Sequence, residues 1–291
     1  MGKPVMRIYK DSSDLKRMQK LTQAIWSLKS NYHIGDLAWQ RHRHVGREDE
    51  WITAIWEIEG KPVAWGWIKL PGKLIFQVDP NFSQLSKAVI DWFDKVVDTN
   101  EQKVTVLETE SHLISALEEA SFNPLLETPE VLSKISLDSC PFPVKLPQNF
   151  QGRHMRDSEE LVDRVAVHRE AFNPSRVSEE SYLNVMNTYP YDPSLDWVIE
   201  SPSGEFVAFC LIWFDEVNKV GLLEPVGSDP RFRRMGLASS VCKLALNALS
   251  DKGANTAIVV STSQDTYEFY KSIGFEKFAQ TKTFQRLKNN D

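Results

Sequence analysis

The feature that most constrains this chain is an internal repeat: the same order of signals occurs twice. "YKDSSDL" at 9–15 resembles "MRDSEEL" at 155–161, each a strand end entering a helix start, with Asp11 or Asp157 as the cap and an acid three residues on. "IEGKPVAWGW" at 58–67 resembles "PSGEFVAFCL" at 202–211, two hairpins with Gly60 or Gly204 in the turn and Val-Ala at one place in the returning strand. "VDPNF" at 78–82 resembles "SDPRF" at 228–232, and "VLETESHLISALEEASF" at 106–122 resembles "VVSTSQDTYEFYKSIGF" at 259–275. The offsets are 146, 144, 150 and 153, a drift of a few residues over four elements in order. Between the copies, "DSCPFPVKLPQNF" at 138–150 carries three prolines and no clear helical or strand period, and reads as a linker. The division expected is 1–138, a linker at 139–150, and 151–291.

In the second copy the signals predict a strand (151–156), a helical pair (157–188), strands at 195–200, 205–214 and 220–227, a helix (about 233–250, beginning near Arg234), a strand (255–262), a helix (264–273) and a last hairpin (275–287). Strands dominate early and then alternate with helices. The fold class expected is therefore α/β in the broad sense, an α+β mixed sheet with helices packed on it, present twice.

The densest chemistry lies in "EPVGSDPRFRRMGLASSVCKLAL", Glu224 to Leu246. Leu237, Val241, Leu244, Ala245, Ala248 and Leu249 form a helical stripe, and "GLLEPV" before it reads as a strand. A strand that delivers a short loop to a helix start offers unpaired N–H groups and a positive dipole end to an anion. Gly236 and Ala238 keep the first turn bare, and Arg231, Arg233 and Arg234 supply charge. The plainer alternative is a solvated loop whose arginines offset local acids.

Residues 220–275 resemble the GNAT superfamily of acyl-CoA-dependent N-acetyltransferases. Arg233, Gly236 and Ala238 match its Arg/Gln-x-x-Gly-x-Gly/Ala signature, and Tyr270, Gly274 and Phe275 match its later Tyr then Gly-Phe signature. By element order the resemblance extends over the whole second copy, and the chain as a whole resembles a tandem GNAT protein. The resemblance implies that the stretch from Arg231 through Met235 and Leu237 to Ala238 holds the CoA pyrophosphate. It also implies that the backbone of Val226, Gly227 and Ser228 pairs with the pantetheine arm like an added strand. Where the family often has Asn and Ala before the tyrosine, this chain has Ser263 and Thr266, which leaves a contact from Ser263 to the pantetheine open.

An amine attacking a thioester must be neutral, so a nearby base helps. Glu224 is the only acid in "VGLLEPVGS", on the strand leading to the cradle, and Pro225 cannot donate a ladder bond beside it. Glu224 is either that base or a structural carboxylate bonded to backbone amides. Tyr270, which the resemblance implies points to the pantetheine sulfur, is either the group that meets the departing thiolate or a core side chain. Cys210 and Cys242 have no histidine nearby in sequence, which argues against a covalent acyl-cysteine. "NTYPYDPSLDW" at 187–197 could wall or cover an acceptor pocket, while Asp215 and Glu216 read as solvated turn residues.

The first copy has neither glycine nor arginine over 81–91, a connecting loop about two residues shorter, Leu117 at the tyrosine position and Ser121 at the glycine. It reads as the same fold without a cofactor site, acting by packing on the second copy. Seven of the nine tryptophans lie in it, either as core or as a cluster at an acceptor cleft. His42 and His44 suit a polar loop better than a metal site.

The function expected is acetyl-CoA-dependent transfer of an acetyl group to the primary amine of a small molecule, by direct attack in a ternary complex, with acetyl-CoA as cosubstrate and no metal. The alternative is a protein that binds acyl-CoA as a sensor without turnover. The net charge of -6 disfavours a nucleic-acid partner. No run of about 18 apolar residues suggests a membrane span. Three widely spaced cysteines and no secretory leader suggest a reduced, cytoplasmic protein.

Overall fold

The computed structural model describes residues 2–287. The first copy runs β1 (Val5–Ile8), α1 (Ser12–Ala24), α2 (Ile34–His42), β2 (Trp51–Ile58), β3 (Lys61–Lys69), β4 (Lys73–Val78), α3 (Leu85–Val96), β5 (Glu101–Leu107), α4 (Ser111–Glu119), β6 (Asn123–Leu125) and β7 (Val131–Ser136). The second runs β8 (Gln151–His154), α5 (Leu161–Ala171), α6 (Glu179–Met186), β9 (Asp196–Glu200), β10 (Phe206–Asp215), β11 (Val220–Ser228), α7 (Leu237–Asp251), β12 (Thr256–Ser261), α8 (Gln264–Ile273) and β13 (Glu276–Leu287). The repeat extends to single hydrogen bonds. Asp11 accepts from the Ser13 N–H and Asp157 from the Glu159 N–H, both at 2.8 Å. Asp79 accepts from Asn81 and Asp229 from Arg231 in the same way.

All strands except β6 lie on one path through a mixed sheet, in the order β1-β2-β3-β4-β5-β13-β7-β12-β11-β10-β9-β8. The centre is an exchange. β7, the last strand of the first copy, pairs with β12, whereas the Thr281–Leu287 part of β13 pairs with β5 of the first copy. Each copy is thus closed by the other's final strand. The hairpin expected at 275–287 is instead this one long strand, which pairs with β7 through Gln280, across a register shift between Lys277 and Ala279, and with β5 from Thr281. No residue there breaks the extended backbone, so it spans both halves.

Period-two alternation sends Ala64, Ile68 and Phe76 to the face under α3, and Trp65, Trp67 and Ile75 to the face under α1 and α2. In the second copy α7 covers one face, with Val241, Ala245 and Leu249 against Ile212 and Ala257. On the other face Ala38 and Trp39 of α2 pack with Tyr182, Val185, Leu211 and Trp213, so one apolar cluster is built from both copies. Each fully buried large side chain there contributes about 1.5–3 kcal/mol of transfer free energy. Asp215 corrects its expected exposure: it is buried, accepting from Gln23 Nε2 of α1 at 2.7 Å and from Asn218 Nδ2, and so links the halves. Among the described residues no helix is long and apolar enough to cross a membrane.

Candidate active site

β11 and β12 run parallel but pair only from Val220–Leu222 to Thr256–Ile258. Beyond that β11 keeps β10 on one side through Ser228, and β12 follows β7. From Leu223 onward, the side of β11 that faced β12 therefore has no strand partner. A cavity of about 480 Å³ opens there, bordered by Trp39, His168, Phe172, Val226, Thr266 and Tyr270. Gly227 is small for a reason: a Cβ would lie 2.6 Å from the Phe209 ring and 2.9 Å from Ala171.

After Ser228 a 3-10 turn, Pro230–Phe232, is capped by Asp229. The helix then begins at Leu237 rather than near Arg234, because Arg234 (φ 63°) and Gly236 (φ 77°) are left-handed and cannot belong to it. Gly236 occupies the cap position without any side-chain hydrogen bond, and nothing lies within 4 Å of where its Cβ would be. Arg233, Arg234 and Met235 are exposed, Ala238 is half-buried and Leu237 is buried in the core. Arg231 is held by Asp229 (2.6 Å) and Glu205, so its charge is already matched. Arg233 and Arg234 have no carboxylate partner among the described residues.

Glu224 sits where the strands begin to part. Its carbonyl accepts from Trp213 Nε1 at 2.6 Å. A Cβ on Gly35 would come within 2.3 Å of Trp213, so only glycine lets the start of α2 descend onto that ring. This close approach brings Asp36 beside Glu224, near enough for each carboxyl to act on the other's ionisation. Asp36 also accepts from the His33 N–H at 2.7 Å in a capping box whose other bond runs from Gly35 N–H to His33 Nδ1. Burial lifts Glu224 well above the usual carboxylate range and pushes Asp36 up to about 6. Two close buried carboxyls cannot both ionise cheaply, so the pair retains a proton near neutrality. Glu224 Oε2 is buried and has no hydrogen-bond partner among the described residues.

Tyr270 is 8% exposed and faces the same cavity as Glu224. Its hydroxyl makes no hydrogen bond among the described residues, and burial raises it well above its ordinary value, which keeps it a neutral donor. His168 and His44, on the same wall, are pushed down to about 3 and about 4 by burial and neighbouring cations. Both are neutral imidazoles.

A second cavity, about 430 Å³, adjoins the first at Leu223, Glu224 and Arg43 and lies between the copies. Its walls include Asp36, Gln40 and Arg43 of the first copy, which sequence reasoning missed because α2 meets β11 only through the tertiary fold. Ser263 is spent as the cap of α8, accepting from the Thr266 N–H. The 187–197 segment borders neither cavity: Tyr191 donates to buried Asp196, Asp192 pairs with Lys252, and Trp197 Nε1 donates to Ser194 O. Of the first-copy tryptophans only Trp39 reaches the cleft, while Trp56, Trp65, Trp67 and Trp92 are core. Cys210 and Cys242 are buried free thiols, and burial raises Cys210 further. Among the described residues no cluster suited to a metal is found, His42 and His44 included.

The first copy differs at each of these places. Ser83 and Gln84 alone separate its 3-10 turn from α3, where Arg233 to Gly236 intervene in the second, and both have right-handed backbone. β4 and β5 also part after two paired positions, but His112 Nε2 lies 3.2 Å from the Val78 carbonyl at the end of β4. Leu117 is fully buried.

A family model described as the acetyltransferase (GNAT) family matches residues 163–275. No curated protein sequence matches the chain. Solved structures similar in fold include a GCN5-related N-acetyltransferase from Sphaerobacter thermophilus, at 15% identity over 99% of this chain and 97% of that one, with a TM-score of 0.63. A tandem GNAT protein from the clavulanic acid biosynthesis pathway aligns at 10% identity over 99% and 100%, TM-score 0.67. The N-myristoyltransferase of Saccharomyces cerevisiae with bound myristoyl-CoA aligns at 12% identity over 100% and 80%, TM-score 0.57. At such identities the likeness is one of fold.

Proposed function

We propose that the protein transfers an acetyl group from acetyl-CoA to the primary amine of a small molecule, a reading that starts from the match of residues 163–275 to the GNAT acetyltransferase family model and from the likeness in fold to a tandem GNAT protein. The observation that carries this reading is the unpartnered side of β11 with Glu224 at one end of the cleft and the Tyr270 hydroxyl free within it.

The residues present fit an acyl-CoA. The backbone of Val226, Gly227 and Ser228 would bond the pantetheine, as a strand is bonded. The bare start of α7 at Gly236 and Ala238, with Arg233 and Arg234 beside it, would hold the pyrophosphate, while Arg231 steadies the turn through Asp229 and Glu205. Bound acetyl-CoA supplies an activated carbonyl. The Asp36–Glu224 pair would accept a proton from the ammonium form of the acceptor, so that the amine nitrogen can attack the thioester carbon. As the carbon–sulfur bond breaks, Tyr270 would donate a hydrogen bond to the leaving sulfur; the second proton lost by the attacking nitrogen goes to the thiolate, giving the free thiol, and the proton held by the carboxyl pair returns to solvent. The free thiol and the N-acetyl product then leave.

Thiol release over a panel of amines tests this. Glu224→Gln should lower kcat/KM by about 10²- to 10³-fold with little change in acetyl-CoA affinity. Tight acetyl-CoA binding without thiol release from any amine would leave the sensor reading instead.

A further inference from the structure

We infer that the acceptor is a small primary amine that also carries an anionic group, a carboxylate or a phosphate, bound in the cavity between the copies with its amine at Asp36 and Glu224 and its anion at Lys69 and Arg43. This rests on the N-acetyltransferase reading above.

The cavity joins the thioester side of the cleft at Glu224, as an acceptor site must, and its volume of about 430 Å³ suits a small molecule. Its walls carry charges of both signs. The Asp36–Glu224 carboxyl pair is there for a substrate ammonium to satisfy. Lys69 and Arg43 are half-buried cations that act on those carboxyls through space but form no ion pair with them or with any other carboxylate among the described residues: Lys69 Nζ bonds only Gln40 Oε1, at 2.6 Å, and the Arg43 guanidinium makes no hydrogen bond or ion pair. Taking cations from water without a counter-charge is costly, and burial with the nearby charges of Arg43 and Lys73 pushes the Lys69 ammonium down to about 8. A bound anion offsets that cost.

The floor is polar as well. Thr105 and Thr283 hydroxyls lie 3.2 Å apart across β5 and β13, and Thr281 Oγ1 accepts from the Glu130 N–H. Two further carboxylates line the cavity: Glu127 is engaged by Lys103 at 3.4 Å, and Glu130 forms no ion pair with Lys69 or Arg43 among the described residues. A polyamine would set a second positive charge against Lys69 and Arg43, and an alkylamine would lay methylenes on the hydroxyls.

The test uses the full chain with saturating acetyl-CoA and three groups of amines. These are anionic ones (amino acids, 2-aminoethyl phosphate, glucosamine 6-phosphate), their neutral amides, esters or dephosphorylated forms, and polyamines. The expected result is kcat/KM at least about tenfold higher for an anionic amine than for its neutral counterpart, with the amino-acid and phosphate arms telling carboxylate from phosphate. Lys69→Glu should then raise KM for that anionic amine at least about tenfold and move the neutral counterpart far less. A preference for neutral or polycationic amines, or an equal KM loss on both members of a pair, would overturn the inference. If no amine releases thiol, the transferase reading fails separately. Calorimetry on CoA-loaded protein then decides the cavity: tighter binding of anionic amines supports this assignment, and equal binding of both overturns it.

Discussion

The two copies share an element order, caps at matching positions and a pair of parallel strands that part after two or three residues, yet they differ in what happens at the parting. In the second copy β11 is left without a partner on one side, and two left-handed residues hold the next helix back so that its start is bare. In the first copy His112 reaches the carbonyl of Val78 and α3 follows its turn two residues sooner with no arginine near. A splayed sheet is therefore only the frame of a cofactor site. On the proposed function, what makes one is the open backbone edge, the left-handed loop and the unpaired cations, and those depend on a handful of residues.

Paired substitutions sharpen the comparison. Leu117→Ala should destabilise the protein by about 2–5 kcal/mol, because a fully buried leucine leaves a cavity, yet change turnover little at temperatures where the protein is folded. Tyr270→Phe, at the matching helix position, should do the reverse, lowering kcat about 10²-fold with small effects on melting and on acetyl-CoA affinity. Denaturant curves and saturating kinetics on both variants check this. Equal turnover in wild type and Tyr270→Phe would return Tyr270 to the core.

A smaller effect distinguishes the helix caps. At the position of Ser263, the first copy has Glu110, 5% exposed, accepting from the Leu107 N–H at 2.9 Å. Burial pushes this carboxyl up to about 7. A carboxyl whose folded pKa is raised stabilises the protein fully below its unfolded value and loses that contribution as pH rises through the folded value, so wild type should lose about 2 kcal/mol between pH 5 and 8 on this account. Glu110→Gln should flatten that slope in melting experiments. An unchanged slope would mean that the group ionises freely in the fold.

Much of this was legible in the sequence because it is local. Repeat offsets placed the elements, a helical stripe placed α7, and the Arg-x-x-Gly spacing marked the loop that Gly236 ends. The start of α7 was misjudged at Arg234 because periodicity does not report a positive φ. The strand exchange was not legible, since β7 and β13 choose partners by tertiary fit, and a strand that changes neighbours carries the same alternation as one that does not. Asp36, Arg43 and Lys69 were missed for a related reason. Asp36 and Arg43 reach the cleft because Gly35 lets α2 settle on Trp213, and Lys69 because β3 ends beside it, contacts no spacing announces. The loop at 187–197 shows the opposite error: its tyrosines and prolines suggested a lid, but Tyr191 serves a buried Asp196 that also pairs with Arg164 at 2.9 Å.

The central claim is that the frame is present twice and the cofactor site once. Because each copy is closed by the other's last strand, the intact chain is the object to measure. Calorimetric titration with CoA should give one equivalent per chain, and Gly236→Glu, which sets a carboxylate beside the pyrophosphate in open space, should abolish that binding while far-UV circular dichroism remains that of the folded protein. Two equivalents per chain, or one equivalent undiminished in Gly236→Glu, would contradict it.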